Sequence, residues 1–402
     1  MEENAFGKLV RAYRKQRGWK QEELAERWDV SSAYISLIER GKRKLEKQEQ
    51  INRLADILGI PEERLAAIGR GMPGIKPDPR TNPQDSDDML LQALLEPAQN
   101  TVKLSWLIWH GDSMVVDMGA NLRNLQQRLS EALALYHGQF HKPALRLLGY
   151  THEMLGQLEI EKTATKEAIF HFQELYDIAD ELGDVDMIAL AIIHQASMLR
   201  RRGWYETAFR RFLAAEKHIK EAPEKYAESV SQWIQGMLWK EWAITAFTYG
   251  DEQGFLRAID QAEEVATGIE TTIDSLSHDF NLLEVLQTRA QGFTMLWQPE
   301  KALAIYQRTD TMSPFRPLRD QASYAIIKAQ ACCYAGDIRQ GLAYAEQGLK
   351  MAEKLHSIRY VTRLRQMSDR LSVTAIGKER AMLEARKEIL STLEHMKAGR
   401  SE

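Results

Sequence analysis

Apolar residues recur at i, i+3, i+4 and i+7 through nearly the whole chain, and no stretch shows the strict alternation of a half-buried strand. The pattern predicts an all-α protein. In residues 1–68 it resolves into short helices. Phe6 to Arg17 puts Phe6, Leu9, Val10 and Tyr13 on one face and stops at Gly18. Gln21 to Trp28 follows, with Leu24 and Ala25 turned inward. Asp29-Val30-Ser31 makes a tight turn, with Ser31 placed to cap the next helix, Ser32 to Arg40, which closes at Gly41. Gln48 to Leu58 ends at Gly59, and Pro61 opens a last short helix at the position where its missing N–H costs nothing.

From Gly69 to Asp88 the periodicity lapses, and four prolines within that span argue against helix. Residues 69–88 are therefore expected to link a head, 1–68, to a body, 89–402. The body repeats. Small residues recur at Gly156, Ala196, Ala243, Ala290 and Ala329, spaced by 40, 47, 47 and 39. Seven residues after each stands a turn position: Thr163, Gly203, Gly250, Trp297 and Gly336. Twelve after each come Ala168, Ala208, Phe255, Ala302 and Gly341, and sixteen after come Phe172, Phe212, Ile259, Tyr306 and Ala345. A small residue where two helices cross, with a large one a turn later, is what a tetratricopeptide-like helix pair requires. Spacings beyond the usual ~34 residues imply longer helices or loops. Thr163, Trp297 and Phe255 break the small-residue rule, so an irregular helical bundle remains the alternative. Residues 100–155 are expected to add one or two pairs, and Ser357 to His395 a terminal pair.

Such a stack curls into a superhelix whose concave face is made by the first helix of each pair. The register puts Arg200, Arg201, Lys240, Glu284, Gln287, Gln291 and Gln330 on that face. Long amides there suit the backbone of an extended peptide, and the basic groups suit a carboxylate; a solvated groove without ligand is the plainer reading. Trp233, Trp239 and Trp242 are expected in the core.

Charge sharpens the division. Residues 1–70 hold 15 Lys+Arg against 12 Asp+Glu, whereas the rest is net acidic, and the whole chain carries −4. A cationic head on an anionic body points to nucleic-acid contact by the head. Two adjacent cysteines, Cys332 and Cys333, build neither a disulfide framework nor a metal site and fit a reducing, cytoplasmic setting. The longest apolar run, Met187 to Leu199, is interrupted by His194 and Gln195 and is too short for a bilayer span.

The run WKQEELAERWDVSSAYISLIERGKRK, residues 19–44, resembles the helix-turn-helix of the phage Cro/repressor (xenobiotic-response-element) family. Gln21 opens the first helix of the motif, Ala25 is small at the helix crossing, and Ile35 and Ile38 point inward ahead of Glu39-Arg40-Gly41. The resemblance implies a partly buried ion pair between Arg14 and Glu39. Asp29 stands where that family usually has glycine, a substitution made possible by the ease with which Asp reaches positive φ. Leu37 stands where a polar residue is common. In such motifs the second helix enters the major groove, which nominates Ser32, Ala33, Tyr34 and Ser36 for base contacts. Gln21, Arg40, Lys42, Arg43 and Lys44 are nominated for phosphates. A bundle that only makes protein contacts is the alternative.

The whole layout resembles the bacterial peptide-pheromone-sensing regulators. That resemblance implies repeats that dimerise and hold a short signalling peptide, and a homodimer that grips a palindromic operator in double-stranded DNA. An interaction scaffold with a vestigial head is the competing reading. Enzymatic readings are weaker. Gly111-Asp112-Ser113-Met114 is similar to the nucleophile motif of self-cleaving phage repressors, but Lys142 or Lys162 would have to activate the serine in a chain without strands. His137 and His141 stand at i, i+4 with no third ligand nearby. No catalytic residue, cofactor or metal is expected.

Overall fold

The computed structural model describes residues 5–40, 42–43, 45, 48–60, 83–110, 116–136, 138–269, 280–311 and 317–398. Among them there is no strand, as the periodicity predicts. The chain divides into two compact units, Met1–Thr101 with Arg123–Leu148, and Val102–Leu122 with Gly149–Glu402.

In the first unit, α1 (Ala5–Gln16), α2 (Gln21–Trp28), α3 (Ser32–Glu39) and α4 (Gln48–Leu58) form the head. Their boundaries fall within a residue of those read from the pattern. The helix expected from Pro61 lies outside the described residues. Leu9, Val10, Leu24, Ala25, Trp28, Ile35, Ile38, Leu54 and Leu58 make its core. One contribution comes from far along the chain: Ala134, on α6 (Val116–Leu135), is buried in that same core. The head is thus not sealed by its own helices alone. α5 (Pro83–His110) begins inside the span where prolines argued against helix. Pro83 is tolerated because it takes the first helical position, where no N–H is needed.

The second unit is an array of helical hairpins. After α7 (His141–Glu161) and α8 (Thr165–Leu182) come α9 (Val185–Arg201) with α10 (Tyr205–Tyr226), and α11 (Gln232–Tyr249) with α12 (Glu252–Gly268). Then follow α13 (Leu282–Met295) with α14 (Pro299–Thr309), α15 (Leu318–Tyr334) with α16 (Ile338–Lys354), and α17 (Ile358–Leu371) with α18 (Arg380–Ala398). Each first helix packs on its partner and on the first helix of the next hairpin, so α9, α11, α13, α15 and α17 form one row.

The register explains the packing. Ala196, Ala243, Ala290 and Ala329 are fully buried, as are Ala168, Ala208, Phe255 and Ala302. Gly156 shows why the position must be small: a Cβ there would come within 2.6 Å of the Phe172 ring. All five turn positions adopt positive φ, including the two that are not glycine: Thr163 at 61° and Trp297 at 60°, beside Gly203 at 77°, Gly250 at 95° and Gly336 at 88°. The backbone conformation is therefore common to the repeats even where the sequence departs from them. Trp297 is held there by stacking on Tyr334, with ring centres 4.2 Å apart. The tryptophans expected in the core, Trp233, Trp239 and Trp242, are half-buried, with Trp242 stacked on Phe212 and Trp239 on Trp242.

Candidate functional site

The head builds its recognition helix on a short turn. Asp29 takes a left-handed conformation, φ 58°, and closes α2 by donating its N–H to Glu26 O. Ser31 then caps α3, its Oγ accepting from the Tyr34 N–H at 3.2 Å. On α3, Ile35 and Ile38 are buried and Ala33 is exposed, while Ser32, Tyr34 and Ser36 are half-buried. Tyr34 packs on Trp28, with ring centres 5.8 Å apart, and the Arg43 guanidinium lies over the Tyr34 ring, 5.8 Å from its centre. Leu37 is exposed on the same helix.

Beneath this surface lies a buried brace. Arg14 Nε donates to Glu39 Oε1 at 2.5 Å and Nη2 to Oε2 at 3.0 Å, while Nη1 donates to the Trp19 carbonyl at 2.6 Å. Gln21 Nε2 donates to Glu39 Oε2 at 2.7 Å. Both charged partners are almost wholly buried. The pair fixes α1 against the end of α3, and Gln21 ties α2 to it. Gln21 is thus occupied by Glu39 through its side chain, a role the sequence reading had not assigned it. Arg40 folds back on α3, its guanidinium donating to the Ser36 carbonyl and hydroxyl. Lys42 and Arg43 are exposed. Lys44 lies outside the described residues.

In the hairpin array a cavity of about 770 Å³ opens between the row of first helices. Of the residues nominated for ligand contact, Arg200, Arg201, Gln291 and Gln330 line it. Lys240 and Glu284 do not; they pair with each other at 2.8 Å, which joins α11 to α13. Gln287 does not line it either. Lys240, expected to meet a ligand's carboxylate, thus has a carboxylate partner within the protein.

The structure also brings in residues that the register did not reach. Arg359, Arg363 and Arg370 on α17 line the cavity with Glu241 on α11 and Asp369. Their signal was in the sequence: Arg359, Arg363, Gln366 and Arg370 share one helical face, and Ser368 follows Ala329 at the spacing by which Ala329 follows Ala290. Arg200 donates to Glu241 at 3.0 Å. Burial raises the pKa of Glu241, but Arg200, Lys240 and Arg201 outweigh it and hold the carboxyl at about 2.

The first hairpin meets the last through Glu161, at the end of α7. Its carboxylate accepts from Ser357 Oγ at 2.6 Å and Arg359 Nη1 at 3.0 Å, and pairs with Arg319 at 3.4 Å. Burial pushes its pKa up, but Arg359 and Arg319 pull it below the ordinary glutamate value. The Arg319 guanidinium in turn lies 4.2 Å from the Trp109 ring centre.

Three further sequence features find their place. Gly111-Asp112-Ser113-Met114 lies outside the described residues. His137 lies outside the described residues, and His141 opens α7. Cys332 and Cys333 are buried thiols, and burial pushes Cys333 up to about 12. Among the described residues no helix is long and apolar enough to cross a membrane, and no group of three or more His, Cys, Asp or Glu is arranged to hold a metal ion.

The class these features define is a helix-turn-helix head joined to an array of helical hairpins. Residues 5–68 match the family model described as a helix-turn-helix domain. Among solved structures, the chain is similar to Bacillus thuringiensis PlcR in complex with the peptide PapR7 and DNA, at 14% identity and a TM-score of 0.32, over 86% of this chain and 99% of that one. No curated protein matches.

Proposed function

We propose that the protein is a sequence-specific, DNA-binding transcription regulator, acting in the cytoplasm as a homodimer, whose hairpin array senses a ligand, a short peptide being the best fit. One observation carries the DNA reading: Arg14, Glu39 and Gln21 lock α1, α2 and α3 into one rigid body, while the outer face of α3 is left to short side chains. A buried ion pair is a poor source of stability but a good device for fixing geometry. Geometry is what a helix needs to enter a groove in register. Ser32, Ala33 and Ser36 are small enough to let the α3 backbone come close to base edges, with hydroxyls to hydrogen-bond and a methyl to meet thymine. Tyr34, packed against Trp28, stands at the edge of that contact. Arg40, Lys42, Arg43 and Lys44 supply phosphate contacts near the end of α3, and Gln21 adds the backbone N–H at the start of α2.

For the array, support comes from the cavity: a space of 770 Å³ lined by apolar groups, amides and guanidinium groups is of the size that holds small ligands.

The experiment is recovery of genomic fragments bound by the purified full-length chain at near-physiological salt. A dimer predicts two half-sites about 34 Å, one helical turn, apart. Replacing Ser32 or Ala33 with a bulky residue is expected to alter the recovered sequence, not just the yield. Recovery of fragments with no shared sequence would refute the regulator reading in favour of a scaffold.

A further inference from the structure

We propose that the hairpin array is an anion receptor, in which Arg201 on α9 and Arg363 on α17 together grip a carboxylate or phosphate group of the ligand. The inference deepens the sensor reading and rests on it for any consequence at DNA, though not for the binding itself.

The argument begins with charge. Five arginines line the cavity, Arg200, Arg201, Arg359, Arg363 and Arg370, against two carboxylates, Glu241 and Asp369. The carboxylates are already engaged. Glu241 receives Arg200 at 3.0 Å, and Asp369 receives Arg386 at 2.7 Å. Arg359 is answered by Glu161 at 3.0 Å. Arg370 is already placed against Met295, its Nη1 lying 2.7 Å from the sulfur. Two guanidinium groups remain. Arg363 makes a single hydrogen bond, to Ser323 Oγ at 3.0 Å, and Arg201 has no ion-pair partner among the described residues.

Both groups stand among other cations. Burial and the neighbouring Arg359 hold Arg363 down to about 10. The surrounding wall, with Arg359 and Arg200 nearby, depresses Arg201 below the ordinary arginine value, and Glu241 offsets this only in part. In the wall of the concavity Arg201 is exposed and Arg363 is half-buried. Guanidinium groups gathered in one concavity without a carboxylate in hydrogen-bond reach repel one another, and an anionic ligand relieves that repulsion. The guanidinium fork is matched to planar, bidentate oxyanions, whereas a lysine would offer only a point charge.

The rest of the cavity says what the anion is attached to. Met198, Ile244, Phe247 and Ile326 contribute apolar wall, and Gln291 and Gln330 contribute amides. The ligand that fits is an anionic group on an apolar body with some backbone-like polarity. A carboxylate-ended apolar peptide has that chemistry, and a phosphate ester shares its anionic end.

The test uses the full-length chain and three probes: a pool of apolar hexapeptides with free carboxyl termini, the same pool amidated, and inorganic phosphate. Calorimetric titration and thermal unfolding are read for the native chain, for Arg201→Gln/Arg363→Gln, and for Arg201→Lys. The free-acid pool is expected to bind and raise the unfolding temperature, with the amidated pool weaker by at least tenfold. The double variant is expected to lose that binding by at least tenfold, yet to unfold without ligand at the same or a higher temperature, because mutual repulsion has been relieved. Arg201→Lys, which keeps the charge but not the fork, should fall between. If phosphate binds through the same two arginines and the peptide pool does not, the anion site stands and its ligand is a phosphate. Equal binding by the native chain and the double variant, or no binding of any probe, overturns the proposal. If anion binds but operator affinity stays constant, the receptor stands and the sensor reading fails.

Discussion

Removing the Glu39 carboxylate tests how the head is held together. In Glu39→Ala the Arg14 guanidinium keeps its bond to the Trp19 carbonyl but loses two charge-assisted bonds, at 2.5 and 3.0 Å, in a site where it is only 7% exposed. Breaking a buried pair from one side costs about 3–5 kcal/mol, because the remaining charge is stranded out of water. Against a domain stability of about 5–15 kcal/mol, that brings the head close to unfolding. The readout is hydrogen exchange over residues 5–60 in the intact chain. Protection there is expected to fall by about 10²- to 10⁴-fold, at about 1.4 kcal/mol per factor of ten. DNA affinity should fall with it. The companion variant Arg14→Met/Glu39→Leu removes both charges and refills the space, and is expected to recover most of the lost protection, since apolar replacements of buried pairs are often neutral. If Glu39→Ala keeps protection within threefold of the native chain, the pair is not what fixes α1 to α3 and the reasoning is refuted.

The other predictions concern phosphate contact, backbone strain and acid. Lys42→Ala and Arg43→Ala should each weaken binding to all DNA sequences and reduce the salt slope by about one, measured by titration at several salt concentrations; an unchanged slope removes that residue from the phosphate set. Thr163→Gly should stabilise the array by up to about 1 kcal/mol, because a β-branched residue at φ 61° is strained, whereas Trp297→Gly should not, since it forfeits the stack on Tyr334. Thermal unfolding of the two variants decides it. Glu241 is held at about 2 in the fold, below the value of 4.5 for an unperturbed glutamate, so its contribution is full above pH 4.5 and is withdrawn as pH falls towards 2. Urea unfolding of Glu241→Gln across that window should show a shallower loss than the native chain, and an identical slope would count against the Arg200–Glu241 assignment.

Much of the head was legible because its determinants are local. A cap such as Ser31, a left-handed turn at Asp29 and the inward spacing of Ile35 and Ile38 act within a few residues of one another. The Arg14–Glu39 pair spans more of the chain and was read only through the family resemblance. In the array, the small-residue register was legible because each hairpin solves the same crossing problem with the same backbone. It even located Thr163 and Trp297, where side-chain chemistry alone would not suggest a left-handed turn.

Most helices, and the face each one buries, are written into the local pattern of the chain, the start of α5 at Pro83 being an exception. Those follow from periodicity and turn chemistry, whose range is a few residues. Which charges are answered in the hairpin array depends on the assembled helices. Lys240 met Glu284, Arg200 met Glu241, and Glu161 at the end of α7 met Ser357 and Arg359 almost two hundred residues later. Tertiary structure also carried Ala134 into the core of the head. Ion pairing falls off steeply with distance and depends on burial, and neither is set until the hairpins have stacked. The same stacking left Arg201 and Arg363 facing one cavity without carboxylate partners.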